Sequence, residues 1–126
     1  GVTTLTGTER AGEREWLAET GIAVLAWSPL AGGYLTTAHE PGSTEDQATT
    51  RCYDSPENRG RRDRARQFAH SRGCSPEQVA ITFVATAPFQ VHVVSAARSG
   101  EEAAANCAAA SMDLTLDERR WLEFGT

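Results

Sequence analysis

The sequence predicts an α/β fold built on parallel strands, and three observations carry that prediction. Two short apolar runs, at 22–26 and 90–95, each follow a helix-like segment, and such a run after a helix reads as a buried parallel strand. Helix starts recur as Ser-Pro-Glu-Gln at 75–78 and Thr-Leu-Asp-Glu at 115–118, both with capping residues at fixed offsets. Turn chemistry begins where the first run ends, with Trp27, Ser28, Pro29, Leu30, Ala31, Gly32 and Gly33. Ligands of α/β proteins bind at the carboxyl ends of the strands, which makes 27–33 the candidate functional stretch.

Residues 2–6, Val-Thr-Thr-Leu-Thr, alternate weakly, carry β-branched residues and read as a short strand. Thr8 to Thr20 reads as a helix anchored by Trp16 and Leu17 and stopped at Gly21. The strand at 22–26 then completes a β-α-β order with a short connection, as in a parallel sheet. Residues 34–56 are rich in Thr, Gly, Pro, Ser and acids, without a period, and read as a long loop. Residues 57–72 read as a helix with an Ala65, Phe68 and Ala69 stripe, ended by Gly73. Its arginines (61, 62, 64, 66 and 72) are interrupted by Asp63 and lack interleaved aromatics, so they read as a solvated face and not a nucleic-acid surface.

Ser75 caps the next helix, whose Val79, Ala80, Phe83 and Val84 read as core and whose segment Pro88 closes. His92, inside the strand at 90–95, reads as a packed side chain, since no His-Glu-x-x-His pattern accompanies it. Ser99 reads as the N-cap of an Ala-rich helix through about Ala110, with Glu102 completing a capping box. The same strand-to-helix junction is a ready anion site, because free backbone N–H groups and the helix dipole point there. A short last helix opens at Thr115, with Leu116, Trp121 and Leu122 expected to face inward.

Composition narrows the function classes. Leu, Ile, Val and Phe account for 21 of 126 residues and alanine for 20, which predicts a helix-rich chain with a sparse core. All 12 basic residues are arginine, so Schiff-base chemistry, a pyridoxal-phosphate lysine and a Walker-A loop are excluded. Cys52, Cys74 and Cys107 are widely spaced and read as reduced thiols of a cytoplasmic protein, with neither a disulfide framework nor a metal site. The net charge of −5 gives no general attraction to nucleic acid, and no apolar run is long enough to span a membrane. The chain starts at Gly1 without a signal peptide and reads as a piece of something longer or a processed product.

The string Ala-Trp-Ser-Pro-Leu-Ala-Gly-Gly at 26–33 resembles the end of the seventh strand in aldo-keto reductases, nicotinamide-dependent (β/α)8 TIM-barrel enzymes. Three further segments are similar to the family in order and spacing: Ser75 to Ala80 before its eighth strand, Ala97 to Glu101 with Asn106 after that strand, and Asp113 to Glu118 at its C-terminal helix entry. The resemblance implies a partial (β/α)8 barrel: residues 1–126 as the C-terminal half, about strands 6–8 with their helices and a C-terminal helix, and a long loop at 34–56. A complete barrel takes about 250 residues. The resemblance also implies a cofactor, NADP by family leaning, with NAD the alternative.

The cofactor-binding residues carried over are Trp27 against the nicotinamide, Ser28 and Leu30 along the pyrophosphate, Arg51 near the adenine or its phosphate, and Arg98, Ser99, Glu102 and Asn106 around the adenosine and its phosphate. Departures from the family stand at Leu35 to His39, where it often has a Gly-Lys-Tyr after its Leu-Thr, at Ala105 in place of a carboxylate, and at Ala96 in place of a glycine. The family's Asp, Tyr, Lys and His tetrad comes from its first half-barrel, so no catalytic residue is carried over and the chain alone is expected to be inactive. A carbonyl substrate then requires the missing half. The competing reading is a non-catalytic nucleotide-binding or assembly module that covers its strand edges by self-association.

Overall fold

The computed structural model describes residues 10–39 and 47–126. In order along the chain stand α1 (Ala11–Thr20), β1 (Val24–Trp27), a 3-10 turn (Ala31–Gly33), α2 (Gln47–Tyr53), α3 (Pro56–Arg72), α4 (Pro76–Ala85), β2 (Val91–Val94), α5 (Gly100–Ala110) and α6 (Leu116–Phe124). The strand expected at 2–6 lies outside the described residues. No helix among those described is long and apolar enough to cross a membrane.

β1 and β2 pair in parallel, with Val24 opposite Val91 and Trp27 opposite Val94. The connection between them carries α2, α3 and α4, the long crossover that parallel pairing requires. Burial alternates along both strands, so the expectation of strands buried on both faces is corrected. Val24, Ala26, Val91 and Val93 are half-buried, while Leu25 (70% exposed), Trp27 (76%) and Val94 (50%) lie bare on the other face. An apolar cavity of about 380 Å3 lies between the sheet and the helices, lined among others by Val24, Ala26, Val79, Phe83 and Leu122.

The core is thin, as composition implies, and divides in two. One cluster joins Ala65, Phe68 and Ala69 of α3 to Val79 of α4 and Leu122 of α6. The other joins Ala31, Tyr34 and Leu35 to Ala80 of α4. Of the loop expected at 34–56, residues 40–46 lie outside the described residues; in the rest, Tyr34, Leu35 and His39 are buried and α2 occupies Gln47–Tyr53. Tyr34 is anchored by its hydroxyl, which donates to Asp54 Oδ1 at 3.0 Å. Asp54 in turn accepts from both Nε and Nη2 of Arg59, at 3.0 and 2.9 Å.

The arginines of α3 do not form the expected solvated face. Arg64 donates from Nε to Leu122 O at 3.0 Å and from Nη2 to Glu123 O at 2.9 Å, and Arg61 Nε reaches Glu123 O at 3.3 Å. These guanidinium groups cover the carbonyl end of α6, where both the open acceptors and the helix dipole favour a cation. Arg119 of α6 reaches α4 instead, donating from Nη1 to Phe83 O and Thr86 Oγ1 at 2.5 and 2.7 Å. Arg72 pairs with Glu118. Two apolar expectations also fail, since Trp16 and Leu116 are exposed while their neighbours Leu17, Trp121 and Leu122 carry the packing.

Candidate functional site at the carboxyl edge of the sheet

Parallel pairing places the ends of β1 and β2 on one edge. The turn at 28–39 and the segment at 95–99 therefore leave the sheet side by side. The first is a tight, strained turn. Ala31 N–H bonds Ser28 O, Gly33 N–H bonds Leu30 O and Leu35 N–H bonds Leu30 O, at 3.0, 3.0 and 3.2 Å. Ser28 and Ala31 hold φ at 57° and 52°, a left-handed conformation that costs a non-glycine residue about 1–3 kcal/mol. Gly32 is required by its backbone, φ 64°, and not by space: a Cβ there would lie 3.6 Å from the Tyr53 ring and 3.7 Å from Thr49 Oγ1, ordinary contact distances.

The second segment is organised by α5. Ser99 Oγ accepts Glu102 N–H at 3.1 Å, as an N-cap should. Glu102 reaches one residue beyond the expected box: its Oε2 accepts the N–H of Arg98 at 2.8 Å and lies 3.7 Å from Arg98 Nε. The Arg98 side chain is 96% exposed. Asn106, one and a half turns along α5, donates from Nδ2 to Ala96 O at 3.3 Å and to Ser95 Oγ at 3.4 Å, which ties the helix back to the strand exit.

A cleft separates the two segments, with Leu30, Thr36 and His39 on one side, Arg98 and Glu102 on the other, and Glu77 between them. The structure thus brings three of the sequence-predicted residues, Leu30, Arg98 and Glu102, to one cleft. Trp27 and Ser28 stand at the strand end, and Ser99 and Asn106 shape the segment that carries Arg98. Arg51 stands on α2, exposed, outside that lining. Sequence reasoning missed Glu77, which it read only as part of a helix start, and Thr37, its partner. Glu77 Oε1 accepts Thr37 N–H at 2.7 Å and Oε2 accepts the Thr37 hydroxyl at 3.3 Å. Burial raises the Glu77 pKa, but the Thr37 N–H and further hydrogen bonds outweigh it and hold the carboxyl below its ordinary value.

The described residues contain no His, Cys, Asp and Glu cluster able to hold a metal ion. Electrostatically the cleft is mixed: Arg98 is the one arginine in its lining, which also holds the carboxylates of Glu77 and Glu102.

The chain matches the model of the aldo/keto reductase family over residues 6–123. It belongs to that family. No curated protein is similar enough to match it. Aldo/keto reductases are oxidoreductases with a (β/α)8-barrel fold that generally use NAD(P)H on carbonyl substrates. The helices and two parallel strands here are consistent with part of that barrel. In an aldo/keto reductase, as in other such barrels, the active site lies at the carboxyl ends of the strands, the same edge on which Trp27, the strained turn and the Arg98 segment meet.

Proposed function

We propose that this chain is the C-terminal part of an aldo/keto reductase barrel, about strands six to eight, and supplies one wall of its nicotinamide-dinucleotide site. The observation that carries the reading is the parallel register of Trp27 with Val94, which sets the two strand exits side by side. Trp27 offers an uncovered aromatic face for the nicotinamide ring. Ser28, Leu30 and the turn they begin border the pyrophosphate. Arg98 and the start of α5 serve the adenosine end, with Ser99, Glu102 and Asn106 holding that segment in shape. The aromatic and the turn fit a dinucleotide well; the phosphate complement is thinner, because the chain has no lysine and Arg98 shares the cleft lining with two carboxylates.

When bound, the nicotinamide supplies the hydride for carbonyl reduction. This chain's residues bind and orient the cofactor, and the acid–base groups come from the other part of the barrel. Tyr34 is no proton donor here, since it is buried and its hydroxyl is engaged by Asp54. The bare sheet face of Leu25 and Val94 is the face that side chains of further strands would fill inside a closed barrel, with Trp27 left at its mouth.

Titration of the folded chain with NADPH and NADH, followed by tryptophan fluorescence, tests the reading. Quenching that saturates, and a loss of affinity of roughly tenfold or more in Trp27→Ala, is the expected result, in line with the 1–3 kcal/mol of a base-type stack on an aromatic. The variant is required because Trp16 and Trp121 also emit. A folded chain that binds neither dinucleotide at millimolar concentration sinks cofactor binding by this chain alone.

A further inference from the structure

We propose that Glu77, on the first turn of α4, is a positioning residue for dinucleotide binding: it clasps the 30–39 turn and thereby fixes the width of the cleft between that turn and Arg98. The inference rests on the cofactor reading above and adds to it a residue that contacts the turn and not the reacting atoms. Both carboxylate oxygens of Glu77 are committed to Thr37, one to its N–H and one to its hydroxyl, at 2.7 and 3.3 Å. A bond from a backbone N–H to an ionised carboxylate is about twice as strong as a neutral one. From α3, Arg66 Nη2 donates to Thr36 O and His39 O at 3.4 and 3.2 Å. The turn is thus held at Thr36, Thr37 and His39 by two helices that follow it in sequence.

The clasp matters because α4 is also fixed to the other wall of the cleft. Thr82 of α4, fully buried, donates its hydroxyl to Ala109 O of α5 at 2.8 Å. The start of α5 carries Arg98 and Glu102 through the Ser99 cap. A continuous series of contacts therefore runs from the Arg98 segment through α5, α4 and Glu77 to the turn that begins at Trp27. Loosening the Glu77 contact frees the far end of the turn, at Thr36 to His39, while Ala31, Tyr34 and Leu35 stay packed in the second core cluster, which does not contain Glu77. Small misplacements of binding groups are costly in affinity and rate.

Two variants separate the clasp from the charge. Glu77→Asp keeps the carboxylate at the helix start but shortens its reach, and Glu77→Gln keeps an acceptor for Thr37 N–H without the charge. Amide hydrogen exchange of the 126-residue chain reads the turn, and NADH and NADPH titration reads the cleft. In Glu77→Asp, exchange across 36–39 should rise roughly tenfold, with α3 and α4 still protected, and affinity for both dinucleotides should fall about five- to tenfold. Glu77→Gln, which keeps the reach and loses the charge assistance, should fall between wild type and Glu77→Asp in both measurements.

Unchanged exchange in Glu77→Asp overturns the clasp. Faster exchange with unchanged affinity overturns the positioning role, as does a loss in Glu77→Gln that matches or exceeds the loss in Glu77→Asp. A wild-type chain that binds neither dinucleotide, while Glu77→Asp still loosens the turn, overturns the cofactor reading and the positioning role and leaves the clasp itself standing.

Discussion

Arg62 shows how a charged side chain can sit on the buried stripe of a helix. Asn58, Arg62, Ala65 and Ala69 are buried at helical spacing along α3. Arg62 Nε and Nη1 are shut from solvent without a hydrogen-bond partner among the described residues, a situation that costs about 1–3 kcal/mol per group. The return comes from the Tyr34 ring, whose centroid lies 5.2 Å from the guanidinium carbon, and from Asp63 Oδ1, 3.6 Å from Nε. A desolvated cation–π contact returns about 2 kcal/mol against about 2–6 kcal/mol for the two groups, so on balance the charge adds nothing to stability or detracts from it. Arg62→Met, which keeps the length and drops the charge, should leave stability in urea unchanged within about 1 kcal/mol or raise it; a larger loss would show that the charge itself holds the fold. The spacing 58, 62, 65, 69 was readable in the sequence, but an arginine-rich helix reads as surface by composition. The destinations of Arg61 and Arg64 were not readable at all, because main-chain carbonyls about sixty residues away leave no side-chain signature. Trp27 was legible for the opposite reason, since its neighbours in sequence are also its neighbours in the turn.

At the scale of elements, local chemistry was legible and tertiary override was not. Ser75, Ser99 and Thr115 cap α4, α5 and α6 as their sequences imply, because a cap is decided within four residues. α2, with two threonines and one turn of contacts to the 3-10 turn through Thr49 Oγ1 and Gly32 O, has weak propensity and is held by what it packs against. The helix starts also set the acid response. Hydrogen bonds from Arg59 lower the Asp54 pKa, the helix-start N–H of Glu57 lowers its own, and the Thr115 N–H lowers that of Glu118, with Glu77 lowered as described. Carboxyls depressed on folding stabilise fully above the unfolded carboxylate range and lose that contribution as pH falls through the folded values. The urea midpoint should therefore drop between about pH 5 and about pH 2. Glu118→Gln, which keeps a capping acceptor but not the Arg72 pair, should make that drop shallower; an unchanged acid limb would remove Glu118 from the account.

At the scale of the molecule, the periodicities yielded parallel strands with helices between them, and the barrel came from the resemblance alone. A four-residue strand such as β1 carries too few positions to say how many neighbours it has. The half-bare sheet was equally hidden, since Leu25 and Val94 look like core residues wherever they occur. Among the described arginines, all but Arg10 and Arg98 lie in helices, where a protease must first unwind the backbone to engage it. Arg98 lies between a strand and a helix with its side chain in solvent, so limited trypsin digestion should nick the Arg98–Ser99 bond ahead of the helical sites. The two fragments should stay together after that cut, because Arg61 and Arg64 grip α6 from the other side of it. NADPH or NADH lodged in the cleft should shield the bond, turning a single peptide linkage into a footprint of occupancy that needs no chromophore and no turnover.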